Sequence, residues 1–252
     1  MKFDNLFRGA LLAVAGTASL MAQSATIRLI PSAYAILDQS GSYALSGGVF
    51  AGRAGDAITI SGNSVTLDLN GQEILCPGSG VGIRINNAQN VIVRNGSISN
   101  CLMGIVIMNS ANVKVENMSI RGMDAAPPEA GMMVVQSRNV AILNNNIYNT
   151  ALGLFIRGGR SFGNRIEGNN ITAGGVNSAL GICYNPTDTD RMGPQGDLIK
   201  GNVIRGFGIP ISLNSTSNYN VMQGNTLFFK DSAVRTDSKT NVDMDNIKVM
   251  IQ

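Results

Sequence analysis

The 252-residue sequence contains no histidine and no tryptophan, and only three of its residues are cysteine. Without histidine, every catalytic arrangement that depends on an imidazole is excluded. The formal net charge is only +3, and no run of basic residues is interleaved with aromatic residues, so nucleic acid is not an expected partner. The sequence also has no dense cluster of acidic residues that would by itself define a calcium site.

A hydrophobic run long enough to span a membrane is missing as well. The apolar stretch over residues 10–15 is too short and too rich in small residues for that role. It follows Lys2 and Arg8 and precedes residues 22–24, which read AQS and have small residues at both ends. This order predicts a secretory signal peptide over residues 1–24 and a protein that is secreted, periplasmic or on the cell surface. If the segment is retained instead, it is the one part expected to contact a membrane.

Glycine is abundant, with 30 residues, and the chain repeats one pattern along most of its length. Residues 90–107 read NVIVRNGSISNCLMGIVI and contain three short apolar runs separated by turns. An aliphatic residue after the first turn recurs at intervals of 22 to 33 residues, a spacing typical of stacked repeats. This first series comprises Ile74, Ile98, Ile120, Ile147, Ile171, Ile204 and Leu227. A second series lies five residues earlier and comprises Leu69, Val93, Val115, Ile142, Ile166, Ile199 and Met222. A third series follows a glycine and comprises Ile83, Ile105, Met132, Leu154, Ile182 and Ile209.

Each apolar run is too short to form a helix, and its side chains alternate between two faces, as in a β-strand. Three such rows are buried together only if successive coils stack, so the pattern predicts a solenoid with an aliphatic core. Asparagine lies at or beside the first turn of nearly every coil, where it suits a left-handed backbone and where stacked amides can bond to one another. We interpret these asparagines as architecture: Asn70, Asn95, Asn117, Asn145, Asn169, Asn202 and Asn225.

Residues 65–71, which read VTLDLNG, and residues 95–98, which read NGSI, resemble the repeats of the right-handed parallel β-helix family, in particular its pectate-lyase-like members. The resemblance implies an all-β fold, a single-stranded right-handed parallel β-helix of about seven to eight coils. We assign residues 25–57 to an N-terminal cap and residues 58–252 to the β-helix domain. The family contains lyases, hydrolases, epimerases and proteins without known catalysis, so the fold alone does not predict a reaction.

Two of the three cysteines occupy nearly the same place on adjacent coils. Cys76 lies two residues after Ile74, and Cys101 lies three residues after Ile98. Strands of neighbouring coils are about 4.8 Å apart, which is within the reach of a disulfide bond. In an oxidising compartment a bridge is expected, and the alternative is two reduced, half-buried thiols. Cys183 has no partner in this comparison.

The loops that follow the third apolar run become long on three consecutive coils, after Gly153, Gly181 and Gly208. Binding residues gather on loops that a rigid scaffold positions, so this edge is the candidate site. The enzymes of this family usually act on acidic polysaccharides in a groove along the helix, through carboxylates that bind Ca²⁺ or transfer protons and through Arg or Lys that meets the uronate. The resemblance therefore implies catalytic roles for Asp188, Asp190 and Arg191, and substrate-binding roles for Arg157, Arg160, Tyr184, Asn214 and Tyr219.

Several alternatives stay open at this point. The same loops can instead form a solvated polar rim with internal salt bridges, and Tyr184 has the inward parity of its strand, which would place it in the core. Asp188-Thr189-Asp190 offers two carboxylates, but such a triplet is common by chance, so no cofactor is expected and Ca²⁺ is the alternative. Two functions are compared: a lyase, hydrolase or epimerase that modifies an extracellular acidic polysaccharide, and a non-catalytic surface or carbohydrate-binding module. The family resemblance favours the first function, whereas the absence of histidine and tryptophan and the ordinary spacing of the aspartates favour the second. The sequence does not determine an oligomeric state.

Overall fold

The structure, a computed structural model, describes residues 26–52, 55–123, 130–175, 179–187, 189 and 191–251. The regular elements of this part of the chain are all β-strands. The first thirteen are β1 (Ile27–Ile30), β2 (Ala35–Leu37), β3 (Gly41–Leu45), β4 (Val49–Phe50), β5 (Asp56–Ile60), β6 (Val65–Asp68), β7 (Glu73–Leu75), β8 (Val81–Asn86), β9 (Gln89–Ser99), β10 (Met103–Met108), β11 (Ala111–Met123), β12 (Ala130–Val135) and β13 (Ala141–Leu143). The remaining strands are β14 (Asn146–Thr150), β15 (Leu152–Arg157), β16 (Arg165–Glu167), β17 (Asn170–Ala173), β18 (Leu180–Asn185), β19 (Leu198–Lys200), β20 (Val203–Phe207), β21 (Ile209–Leu213), β22 (Val221–Gln223), β23 (Thr226–Phe229), β24 (Val234–Thr236), β25 (Val242–Met244) and β26 (Ile247–Met250).

The strands pair in parallel and wind into a solenoid. One sheet contains nine strands, from β2 to β24, so eight turns separate its first strand from its last. The other sheet contains seventeen strands and carries two series, one on each side of the asparagine corner. The two series merge into one sheet because β9 and β11 run through that corner without a break. The predicted arrangement of three strands in each coil is confirmed.

The aliphatic rows face inward and form the core. All seven members of the first series are fully buried. In the second series, Leu67 and not Leu69 pairs with Val93. This coil has two more residues at its corner than the next one, so counting back five residues from the first series overshoots the strand. Leu69 is nevertheless buried at the corner itself.

A glycine precedes most third-series residues because the first-series isoleucine packs directly against the backbone there. A β-carbon on Gly181 would lie 2.6 Å from Cγ2 of Ile204 and 2.5 Å from the carbonyl oxygen of Pro210. Only glycine fits at that distance. The next coil departs from the pattern: Pro210 lies opposite Gly181, and Ile211 rather than the predicted Ile209 faces the core.

The segment predicted as an N-terminal cap, residues 25–57, is largely built as a coil of the solenoid. Strands β2, β3 and β4 pair with β5, β6 and β7, and β1 pairs with β3. Leu37 and Leu45 are buried in the same core as the later coils. Ile58 therefore does not mark a boundary, and Gly47 and Gly48 lie in the bend between β3 and β4.

Asparagine has two roles, which different residues fulfil. Asn70, Asn95 and Asn117 have φ angles of 53°, 60° and 54° and form the left-handed corner of the early coils. In the later coils, asparagine amides stack into a ladder of five rungs: Asn145, Asn169, Asn202, Asn225 and Asn246. The side-chain nitrogen of each rung donates to the oxygen of the next over 2.8 to 3.0 Å. The predicted stacking of amides is confirmed.

Cys76 and Cys101 form a disulfide bond between adjacent coils, with their α-carbons 4.8 Å apart, so the bridged alternative is correct. Cys183 is free and buried, and burial raises the pKa of its thiol to about 11. A thiol with so high a pKa is almost entirely protonated at neutral pH, so Cys183 is a packing residue and not a nucleophile.

Candidate functional site

Two adjoining depressions lie at one edge of the solenoid, where the strands of the nine-stranded sheet end. One has a volume of about 400 Å³ and is lined by Gln136, Arg160, Thr189 and Arg191. The other has a volume of about 330 Å³ and is lined by Asn109, Gln136, Arg138, Arg160 and Phe162. Gln136 and Arg160 belong to both, so the depressions form one surface that follows the solenoid axis across four consecutive coils. We call Arg138, Arg160 and Arg191, together with Gln136 and Phe162, the arginine groove.

The backbone of neighbouring coils fixes the spacing of these side chains. Arg138 forms a parallel bridge with Phe162, and Phe162 forms one with Gln195 on the next coil. Residues in this position are therefore stacked about 4.8 Å apart along the axis. Phe162 is 45% exposed, so its ring offers an apolar surface in the depression that Arg138 and Arg160 also line.

Gln136 connects the coils that line the groove. Its side-chain oxygen accepts a hydrogen bond from the main-chain nitrogen of Arg160 over 3.1 Å. Its side-chain nitrogen donates to the hydroxyl of Thr187 over 3.4 Å. The loop that contains Arg160 and the loop that leads to Arg191 are thus held to the same amide.

The groove is cationic. Arg138, Arg160 and Arg191 are all exposed, and within the described part of the chain no carboxylate forms an ion pair with any of them. Arginine presents its donors in a planar fork that matches a carboxylate, a sulfate or a phosphate. The arrangement can therefore bind an anion at each of three neighbouring coils.

The structure brings together only some of the residues predicted for the site. Arg160 and Arg191 line the same depression. Arg157 is half-buried, with its guanidinium group 5.2 Å from the centre of the Phe155 ring and a hydrogen bond to the Pro186 carbonyl oxygen. Asp188 and Asp190 lie outside the described residues, so their predicted catalytic roles stay predictions.

Three further predicted residues do not line the groove. Tyr184 is fully buried in the core, so its predicted contact with a substrate at the surface is wrong and the inward parity of its strand decides its position. The side chain of Asn214 bonds to Thr216 and Ser217 and closes a turn. Tyr219 is 67% exposed and has a φ angle of 58°, at a corner where the equivalent positions of other coils have asparagine or glycine.

Sequence reasoning missed Gln136, Arg138 and Phe162. The coil that contains Gln136 and Arg138 has a loop of ordinary length, so loop length does not mark it as part of a site. For Arg138 and Phe162, the signal that could have found them is the position directly before the left-handed corner residue. Arg138 precedes Asn139 and Phe162 precedes Gly163, and both corner residues have positive φ angles.

Within the described ranges, no group of three or more cysteine, aspartate or glutamate side chains could hold a metal ion. In the same ranges, no helix has the length and apolar character needed to cross a membrane. The described lining of the arginine groove offers hydrogen-bond donors and positive charge.

Comparison with solved structures shows similarity at low sequence identity. The structure of ORF18 from Geobacillus virus E2 has a TM-score of 0.59 and 10% identity, over 90% of this chain and 53% of that one. A tailspike double mutant of E. coli bacteriophage HK620, solved in complex with a pentasaccharide, has a TM-score of 0.54 and 12% identity, over 90% and 57%. An exopolygalacturonase from Thermotoga maritima has a TM-score of 0.50 and 12% identity, over 77% and 55%.

The present chain thus spans little more than half of each of these structures. At such low identity, the likeness concerns the fold. No curated protein sequence matches the chain. Residues 14–189 match the family described as right-handed β-helix region. With parallel strands wound into stacked coils and this match over most of its length, the chain belongs to the right-handed β-helix family.

Proposed function

We propose that this protein is exported and that its arginine groove binds an acidic polysaccharide. One observation carries the proposal: three exposed arginines on three consecutive coils line a continuous surface, and no described carboxylate neutralises them. A linear polyanion that lies along the axis can meet one guanidinium group on each coil. Phe162 supports the choice of a sugar polymer, because an exposed ring can pack against the apolar face of a sugar.

The fold neighbours support the same substrate class. The tailspike was solved with a pentasaccharide, and the exopolygalacturonase is named for a polysaccharide. Export is supported by the predicted signal peptide over residues 1–24 and by the disulfide bond, since such bonds persist in oxidising compartments. N-terminal sequencing of the mature protein should start at residue 25, and a start at Met1 would contradict export by cleavage.

The binding test compares two triple variants with the same change in charge. In the groove variant, Arg138, Arg160 and Arg191 are replaced by glutamine. In the control variant, the exposed residues Lys200, Lys230 and Lys239 are replaced by glutamine. Calorimetry with polygalacturonate should show at least about a tenfold loss of affinity for the groove variant, since each charge-assisted hydrogen bond contributes about 1.5–3 kcal/mol.

The control variant should bind polygalacturonate as the wild type does, and a neutral polysaccharide should bind to none of the three proteins. Affinity should also fall as salt is added, because the contacts are ionic. Equal affinity of the groove variant and the control variant would disprove the proposed site.

Catalysis is tested separately from binding, through the predicted catalytic residues Asp188 and Asp190. Incubation with uronate-containing polysaccharides, followed by ultraviolet absorbance, detects the unsaturated products of a lyase. If products form, replacing Asp188 and Asp190 with asparagine should abolish them and leave binding in place. Binding without any product, by ultraviolet absorbance or by reducing-sugar assay, identifies the protein as a non-catalytic carbohydrate-binding module.

A further inference from the structure

A second ladder runs beside the groove loops, and one of its rungs is an acid. Its rungs are Asn164, Asp197, Asn220 and Asn241. Asn164 ends the loop that contains Arg160, and Asp197 ends the loop that contains Arg191. The main-chain and side-chain nitrogens of Asn164 donate to the two carboxyl oxygens of Asp197 over 2.8 and 3.0 Å. Asp197 therefore ties the two loops together.

The rung that follows Asp197 lacks one hydrogen bond. Where one asparagine follows another, the side-chain oxygen of the second accepts two hydrogen bonds, from the main-chain and the side-chain nitrogen of the first, as at Asn202, Asn225 and Asn241. Among the described residues, the side-chain oxygen of Asn220 accepts only one hydrogen bond, from the main-chain nitrogen of Asp197. A carboxylate has no hydrogen to donate, whereas a carboxylic acid has one. A proton on Asp197 thus gives this rung the donor that an ionised carboxylate lacks.

The surroundings of Asp197 favour the protonated form. Asp197 is buried, with only 1% of its surface exposed. Tyr184, from β18, is the titratable group that faces it, and the neighbouring rungs are neutral amides. The Tyr184 hydroxyl interacts with the carboxyl group, and this interaction lowers the pKa of Asp197 by less than burial raises it. No described lysine or arginine offsets the cost of burying the charge, and burial raises the pKa of Asp197 to about 7.

We infer that Asp197 carries a proton in the intact ladder, and that loss of this proton loosens the two loops that contain Arg160 and Arg191. The consequence for ligand binding rests on the function proposed above. The loosening of the loops does not depend on the proposed function, because it concerns the core of the protein without ligand.

The direction of the pH dependence follows from linkage. The pKa of Asp197 is higher in the folded chain, at about 7, than the value of about 3.9 expected for an unfolded aspartate. Stabilisation by the proton is complete below about pH 4 and is lost as the pH rises to about 7. Between these two pH values, the equilibrium constant for opening of the two loops should increase about tenfold for each pH unit.

Hydrogen exchange tests this inference on the full chain without ligand. The wild type and Asp197→Asn are compared at pH 4.5 and pH 7.5 (about the limits set by the linkage argument), over peptides that cover residues 158–164 and 191–197. The ratio of the two proteins at one pH cancels the intrinsic effect of pH on exchange. Because asparagine supplies an N–H where the acid supplies an O–H, the two proteins should exchange alike at the lower pH. At the higher pH, the wild type should exchange at least about tenfold faster.

The control is Asp237→Asn, which removes the same charge from an exposed position and should follow the wild type at both pH values. A ratio of wild type to Asp197→Asn that does not change with pH would overturn the inference. Failure of Asp197→Asn to fold at the higher pH would overturn it too, because the amide completes the ladder.

A retention assay extends the test to the groove. The probe is a sulfated polysaccharide on a column, since its charge is the same at both pH values. The wild type should be retained less at the higher pH, whereas Asp197→Asn should be retained equally at both. No retention of either protein at either pH counts against the proposed function, and the exchange ratio still decides the role of Asp197. Equal loss of retention in both proteins counts against the coupling to Asp197.

Discussion

At the scale of single residues, the buried amides of the ladder carry an unusual share of the hydrogen bonding. The side chain of Asn202 accepts two hydrogen bonds from Asn169 and donates to Asn225 and to the Ile166 carbonyl oxygen. The side chain of Asn170, one position after the preceding rung, is exposed and donates a hydrogen bond to Asn146. We therefore expect the same residue type to contribute very differently to stability at neighbouring positions.

We predict that Asn202→Ala lowers the free energy of unfolding by at least about 3 kcal/mol, because it leaves buried donors and acceptors without partners. Asn170→Ala, the matched control, should cost less than about 1 kcal/mol, since water replaces its partner. Urea unfolding of both variants measures the difference. Equal costs for the two substitutions would contradict a structural role for the ladder.

The same scale explains which site residues the sequence could predict. Arg160 and Arg191 were predictable because their loops are enlarged, and enlarged loops on a rigid scaffold are exposed. Arg138 was not, because it reaches the groove from a coil of ordinary length and owes its position to the stacking of coils. Tyr184 shows the opposite case: polar chemistry suggested a site, but the alternation of its strand buries it.

At the scale of elements, periodicity predicts the strands well and the corners poorly. Each strand must place an aliphatic residue inward, so the rows through Ile98 and Val93 are visible in the sequence. Corner length is not constrained in this way, because an added residue can protrude into solvent. That is why fixed spacing misassigned Leu69, where pairing selects Leu67. Ile209 was misassigned for another reason: it follows a glycine, but pairing places Pro210 at the glycine position and Ile211 in the core row.

The disulfide bond links two such elements, and we predict its contribution from the loop that it closes. Cys76 and Cys101 are separated by 25 residues, for which loop entropy gives about 3 kcal/mol. Replacing both with serine should lower the free energy of unfolding by that amount in urea titrations. The wild type in reductant should lose the same amount, and a thiol count on the denatured, unreduced protein should find Cys183 alone. No change on reduction would show that the bond adds nothing to stability.

At the scale of the whole molecule, a solenoid must prevent its ends from pairing with other chains. The last strands, β24, β25 and β26, each pair with the preceding coil only, within the described residues. Such edges recruit other strands unless charge or shape opposes it. Here two of the three inward rows do not continue as aliphatic residues. Asp243 lies opposite Met222, Lys248 lies opposite Leu227, and the two charged groups form an ion pair over 2.6 Å.

The other end has the same feature. Arg28 occupies the inward row of β1, opposite Tyr43, and donates a hydrogen bond to its hydroxyl over 2.7 Å. A charged group therefore terminates a core row at both ends of the described solenoid. Another coil that docked on either end would have to bury that charge, which costs several kcal/mol for each ion.

We predict that replacing Asp243 and Lys248 with leucine converts the last described coil into a surface that associates. The substitution continues two apolar rows to the open edge and removes the charges that oppose docking, while net charge is unchanged. Sedimentation velocity should then show larger species that increase with protein concentration. The matched control replaces Asp237 and Lys239, which are exposed in a nearby turn, with leucine and should sediment as the wild type does. If both double variants behave alike, the charged rows do not control association, and exposed apolar area alone accounts for the result.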